Sequence, residues 1–456
     1  MLRPNAPSSE APRGNVVTRN FPALASGDYV LLFINAVCAA AAHWALLLGR
    51  GWLVWDLSES STAVGLVTFA GMSPTIFAGP VAGAIADRFD RRTLSLYAVS
   101  IAFIGTMGLA LVTLTEVVEV WHVVIFALLE GTARATLAPA AQAMIPNIVP
   151  REHLLNGVAL QNISNHGTRL VGPLLGGLLL AAVGAGAVFV LSSVLFASGA
   201  MALWRIRYRY LPADDAEPMS ARGLLRDIGD GMQYIGRDPR LMLVITLVVF
   251  HCALTMAFES MLPQLVTTVG GESPTYTALW MGLGAGAIIG TVWVSKLPSD
   301  AAIGRALVVT AVGSAVAMFV MGFAMAPVMA TVGAMLAGGT QAAYMALSAA
   351  LIQVVTPDHL RGRVLSIFIM LAGGHMAMIN LGFGAGADLI GVRPLFIVPA
   401  AIWLGLFLAA VVWFADLRYL LRTGTFVGTP TPDVTPATVA TGGSGAGGAP
   451  GGGGAA

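Results

Sequence analysis

Residues 83–92 read GAIADRFDRR, from Gly83 to Arg92. Five of these ten residues are charged, in a chain where only 10% are. The stretch lies between two long apolar runs, so it reads as a short polar turn joining two membrane helices. The rest of the chain fits that context. Its 456 residues are 57% hydrophobic, with a mean hydropathy of +0.80. A soluble domain carries about 25% charged residues, so a soluble multidomain protein is excluded. The net charge of +1 gives no electrostatic reason to expect a nucleic-acid partner.

A helix needs about 20 apolar residues to cross the hydrocarbon core. Twelve runs qualify, near 29–55, 63–86, 93–115, 120–145, 156–181, 186–206, 241–268, 276–297, 303–324, 328–354, 363–388 and 393–416. They are continuous rather than alternating, so they predict helices and not a barrel. Loops rich in Lys and Arg face the cytoplasm. With the N-terminus inside, twenty of the 24 basic residues fall in inner segments, only Arg393 lies outside, and Arg50, Arg134 and Arg169 lie within runs. A multi-pass protein of the cell inner membrane with both termini cytoplasmic is therefore expected. The N-terminal segment lacks a short apolar core followed by a cleavage site, so the first run is expected to stay as a membrane helix.

The organisation expected is a cytoplasmic tail (1–26), six helices (27–206), a cytoplasmic linker (207–240), six more helices (241–420) and a disordered cytoplasmic tail (421–456). Within the linker, Leu224, Leu225, Ile228, Met232 and Ile235 recur at helical spacing, which predicts an amphipathic helix on the membrane face. The halves also repeat. Gly131-Thr132 corresponds to Gly339-Thr340, and His153-Leu154 to His359-Leu360. The glycines of GLGAGAIIG (282–290) have no strand before them, so close helix packing explains them better than a dinucleotide site. Cys38 and Cys252 read as buried thiols. No Cys or His spacing suits a metal, and no cofactor is expected.

Two motifs carry a family resemblance. The opening stretch resembles the loop 2–3 signature G-x-x-x-D-R-x-G-R-R of the major facilitator superfamily, with Asp90 where the glycine usually stands. In the fifth run, Gly167, Gly172, Pro173, Gly176 and Gly177 resemble the GPxxGG motif of its proton antiporters. Residues 65–92 and 145–160 resemble the branch of enterobactin exporters and transmembrane secretion effectors. The resemblance implies twelve helices in two pseudo-symmetric six-helix bundles, all-α, and by default a monomer. It implies efflux of a small molecule such as a drug, siderophore or other amphipathic metabolite, in exchange for protons, by alternating access in the lipid bilayer. It also implies that Gly83, Asp87, Arg88, Asp90, Arg91 and Arg92 act as a conformational latch. Import of a small polar solute, or a sensor without transport, are the alternatives.

An ionisable side chain at the bilayer centre costs about 2.5–3.5 kcal/mol on insertion scales, so such residues are the candidates for function. Glu130 and Arg134 are four apart on one face, either as an internal ion pair or as cavity charges. Arg50, Arg134, Arg169 and His251 are the candidate cargo contacts. Glu259 has no charged neighbour within a turn of its own run, and a lone intramembrane carboxylate suits proton loading. Proton coupling is assigned to Glu259 and, second, to Glu130. Asp388 is expected at the outer end of the eleventh run, in solvent. His166, His251 and His375 are expected more often to pack between helices than to carry protons, so His251 has packing as its alternative to cargo contact.

Overall fold

The computed structural model describes residues 21–86, 90–208 and 221–425. Among these residues every regular element is helical. The first six long helices are α1 (Gly27–Ser58), α2 (Ser61–Ala86), α3 (Arg91–Leu114), α4 (Val120–Ile148), α5 (Leu154–Ala182) and α6 (Ala185–Arg205). Then follow α7 (Ala221–Arg237), α8 (Pro239–His251), α9 (Leu262–Thr268), α10 (Ser273–Ser295) and α11 (Asp300–Gly322). The chain closes with α12 (Pro327–Val355), α13 (Asp358–Ile390), α14 (Val392–Trp413) and α15 (Ala415–Thr423). Ten spans among the described residues are long and apolar enough to cross a membrane, α8 to α9 counting as one. Helices α2 and α5, of 26 and 29 residues, also have the length a crossing needs.

Local sequence explains where the helices begin. Ser26, Asp90, Asp238 and Ser299 each accept a backbone N–H at the start of α1, α3, α8 and α11, which satisfies donors that a helix start otherwise leaves free. Asp90 thereby explains its departure from the signature: its carboxylate accepts from Thr93 N (3.0 Å), a contact glycine cannot make. Outward faces are apolar. On α3, Tyr97, Ile104 and Leu111 repeat every seven residues and are 67%, 66% and 57% exposed, as a lipid-facing stripe must be.

Two apolar cores fill the interior. One is built wholly from residues between Ala23 and Ile206. The other runs from Ile235 to Leu421 and draws in Ala45, Leu48, Leu180 and Val188 from the first half. The repeated glycine lies at a close helix crossing in both halves. A Cβ on Gly131 of α4 would collide with the Gly71 carbonyl of α2, and a Cβ on Gly290 of α10 with the Gly339 carbonyl of α12. Gly286 approaches Met335 and Gly339 in the same way, so GLGAGAIIG is a helix-packing face.

The structure corrects one expectation and extends another. The seventh run is not one helix. After His251 a π turn covers Cys252–Met256, Ala257 and Phe258 leave the helix, and a short turn over Glu259–Met261 precedes α9. Pro263 in the first turn of α9 is the sequence trace of the restart. Backbone freed inside a membrane must find partners within the protein. Here Gln341 Nε2 donates to Thr255 O (2.6 Å), and Ser260 N donates to Asn380 Oδ1 (3.0 Å). Asp388 lies in solvent as expected, and it does more. Its carboxylate accepts from Ser60 Oγ (2.6 Å), Ser61 N (2.7 Å), Thr62 N (2.9 Å) and Thr62 Oγ1 (2.6 Å). It stays exposed at the end of α13 and also caps the start of α2. Asp388→Ala should lower the thermal midpoint, by the about 0.5–2 kcal/mol that a lost cap costs; an unchanged midpoint would mean the cap contributes nothing.

Candidate functional site

The intramembrane charges converge. Glu130 on α4 is 2% exposed. Its carboxylate lies 2.9 Å from His43 Nδ1, accepts from Arg50 Nη2 at 3.3 Å, and sits 3.9 Å from Arg134 Nε. His43 and Arg50 are seven residues apart on α1, two turns on one face, so the cluster ties α1 to α4. Arg50 is 3% exposed, and its Nε and Nη1 have no hydrogen-bond partner. His43 was not among the sequence candidates. Its spacing of seven from Arg50 was the available signal.

Two cavities meet at this cluster. The first, about 360 Å³, is lined by His43, Trp44, Glu130 and Arg134 together with Asn35 and Gln161. The second, about 230 Å³, also touches His43, Trp44 and Arg134, and adds Arg50, Arg169 and Glu259. Met72, Met256 and Met376 supply part of its apolar wall, and methionine adapts to irregular partners. The break after α8 is what puts Glu259 on this wall rather than on a regular helix face. Arg169 of α5 lies over the Trp44 ring, 4.9 Å from its centre, a cation–π contact. Arg169 Nε has no hydrogen-bond partner. Arg169 and Glu259 are each other's electrostatic neighbours, joining α5 to the second half.

Other candidates lie elsewhere. His251 lines neither cavity. It is fully buried, with Nε2 3.0 Å from Ser314 Oγ and its ring against Tyr344 and Trp403. Of its two expected roles, these contacts fit helix packing. His375 is exposed and bonds the Leu371 carbonyl of its own helix (2.7 Å). The side chains of His166 and Gly83, and residues Asp87 and Arg88, lie outside the described residues. Of the expected latch, Arg91 Nη1 donates to Ala143 O (2.7 Å), and Arg92 Nε to Leu203 O (3.0 Å). These bonds fasten the start of α3 to the ends of α4 and α6.

The fifth-run glycines are contact points. A Cβ on Gly172 would stand 2.7 Å from Ala41 O and from Trp44 Cβ, and one on Gly176 3.1 Å from Ala45 Cβ. These two let α5 lie against α1, with Pro173 between them inside the helix. Gly177 faces Thr277 of α10 so closely that any Cβ collides, while a Cβ on Gly167 would meet nothing within 4 Å. Gly177→Val is therefore expected to separate α5 from α10 and to raise thiol labelling of a Thr277→Cys reporter. A Gly167→Val control should not; equal labelling in both would sink the assignment.

The profile of the transmembrane secretion effector family matches residues 18–421. The chain belongs to that family. This secretion effector is a multi-pass transporter of the major facilitator superfamily, not an enzyme. It is 25% identical over 389 residues to the multidrug efflux pump Tap of Mycobacterium tuberculosis, covering 82% of this chain and 90% of that one. It is 26% identical over 349 residues to the enterobactin exporter EntS of Shigella boydii, covering 76% and 79%. It also matches an uncharacterized transporter, YfiS, of Bacillus subtilis at 26% identity, spanning 52% of this chain and 55% of YfiS. In fold it resembles the nucleoside transporter NupG, with a TM-score of 0.72 over 85% of this chain and 100% of that one, at 12% identity.

Proposed function

We propose that this transporter exports small amphipathic molecules bearing an anionic group, in exchange for protons, by alternating access. One observation carries the reading. Arg50, Arg134, Arg169 and Glu259 line a single cavity, walled by α1, α2, α4 and α5 on one side and by the break after α8 and α13 on the other. The two relatives named as an efflux pump and an exporter support the outward direction.

In this reading the chain crosses the bilayer twelve times. Helices α1 to α6 form one six-helix bundle (27–206). The α8–α9 pair and α10 to α14 form the other (241–420), and the linker 207–240 carries α7. Both termini face the cytoplasm, as the distribution of Lys and Arg supports. The Asp388 end is then the outer end, held shut, and the first cavity opens inward past the exposed Gln142 and Asn165. Arg134 and Arg169 receive the cargo's anionic group. Glu259 takes up a proton when the cavity opens outward and gives it up to the cytoplasm when it opens inward. Glu130 is held by Arg50, Arg134 and His43, so it orients the two arginines and is the weaker proton site. Each charge moved inward by the membrane potential contributes about 2.3 kcal/mol per 100 mV.

Everted vesicles test the reading. Vesicles holding the protein should accumulate an N-dansyl amino acid only when energised, and a protonophore should release it. Accumulation equal to that of vesicles lacking the protein, or indifferent to the protonophore, would contradict it.

A further inference from the structure

The first cavity has a chemistry that ion handling does not use. Its volume of about 360 Å³ suits a small-molecule site. Every lining residue falls between Asn35 and Phe196, so it belongs to the first half of the chain alone. Alanines of α1 and α4 form much of its wall, which leaves room and offers no polar contact. Against them stand four carboxamides: Asn35 of α1, Gln142 of α4, and Gln161 and Asn165 of α5. Gln161 and Asn165 are four apart and share a face of α5. Gln142 and Asn165 are exposed at the mouth. Asn35 and Gln161 lie deeper, only 1% and 8% exposed.

The deeper pair is unsatisfied. Asn35 Nδ2 and Gln161 Oε1 are buried, and neither has a hydrogen-bond partner. A buried polar group left unpaired is costly. Each carboxamide offers both donor and acceptor atoms, and four of them line the pocket. Arg134 lines the same pocket, and its Nε also has no hydrogen-bond partner.

We infer that the first cavity is a carboxamide-reading subsite for an uncharged hydrogen-bonding group of the cargo, an amide or hydroxyl placed beside its anionic group. The anion meets Arg134, the amide or hydroxyl meets Asn35 and Gln161, and the apolar body lies along Trp44 and Leu137. The cargo class is thus a carboxylate with a neighbouring amide or hydroxyl, and not a plain hydrocarbon anion. This rests on Arg134 as the anion contact of the proposed function.

Equilibrium binding to the purified full-length protein in lipid nanodiscs tests it without any proton gradient. The probes are N-benzoyl-glutamine and N-benzoyl-norleucine, which share the anion and ring and differ in the carboxamide. The wild type should bind the glutamine probe at least about tenfold more tightly, as a site built for hydrogen bonds disfavours an apolar analogue. Asn35→Leu with Gln161→Leu should bring the ratio near one. The exposed pair Gln142→Leu and Asn165→Leu, which disturbs no buried packing, should reduce it part-way. A wild-type ratio near one, a ratio unchanged in both variants, or binding of neither probe would overturn the inference. Arg134→Gln should weaken both probes alike. If it weakens neither while the ratio persists, the anion contact of the proposed function fails and the carboxamide subsite stands.

Discussion

Glu130→Ala is expected to cost this protein much of its folded yield. Glu130 is the shared acceptor of a cluster in which Arg50 is 3% exposed. Deleting it leaves that guanidinium buried, with Nη2 losing its acceptor while Nε and Nη1 have no hydrogen-bond partner already. Removing one member of a buried pair costs about 3–5 kcal/mol, a large part of the roughly 5–15 kcal/mol that stabilises a typical fold. Replacing both members by apolar residues of similar size can be neutral. Glu130→Met with Arg50→Met should therefore recover most of the loss. The check is the thermal midpoint and the monodisperse yield in detergent. If Glu130→Ala melts with the wild type, the cluster does not hold α1 to α4.

Glu259→Gln is expected to separate exchange from energy coupling. The amide has the shape of the carboxylate but carries no proton to release. Cargo counterflow without a gradient should persist, because the helices can still alternate. Accumulation driven by an imposed proton gradient should fall to the level of unenergised vesicles. Arg169→Gln, which removes the opposing charge from the same cavity, should weaken cargo binding instead. If Glu259→Gln accumulates cargo as the wild type does, Glu259 has no part in coupling.

The helical architecture was legible because lipid leaves few choices. Long apolar runs, with basic residues gathered in alternate loops, admit little besides membrane helices. Arg50, Arg134, Arg169 and Glu259 were each found by their cost in a membrane, and they do share a cavity. Three things were not legible, each for its own reason. His43 can be neutral, so it lacks the cost that marks a fixed charge, and its tie to Glu130 depends on how α1 faces α4. The break at 252–261 is stabilised from other helices, by Gln341 and Asn380, so only Pro263 signalled it locally. Asp388 is exposed as expected, but its capping role was hidden because the groups it accepts from lie more than 300 residues away, at the start of α2. For His251 the sequence left ligand contact and helix packing both open, and Ser314, Tyr344 and Trp403 around it favour packing.

In the proposed function, cargo leaving the cell is exchanged for protons entering it. Proteoliposomes containing the purified protein and a trapped pH-sensitive dye measure this directly. Adding N-benzoyl-glutamine outside, against an acidic interior, should make the lumen more alkaline as protons leave in exchange. The response should be absent with Glu259→Gln and in protein-free liposomes. Cargo uptake by the wild type with no change in luminal pH would contradict proton exchange outright.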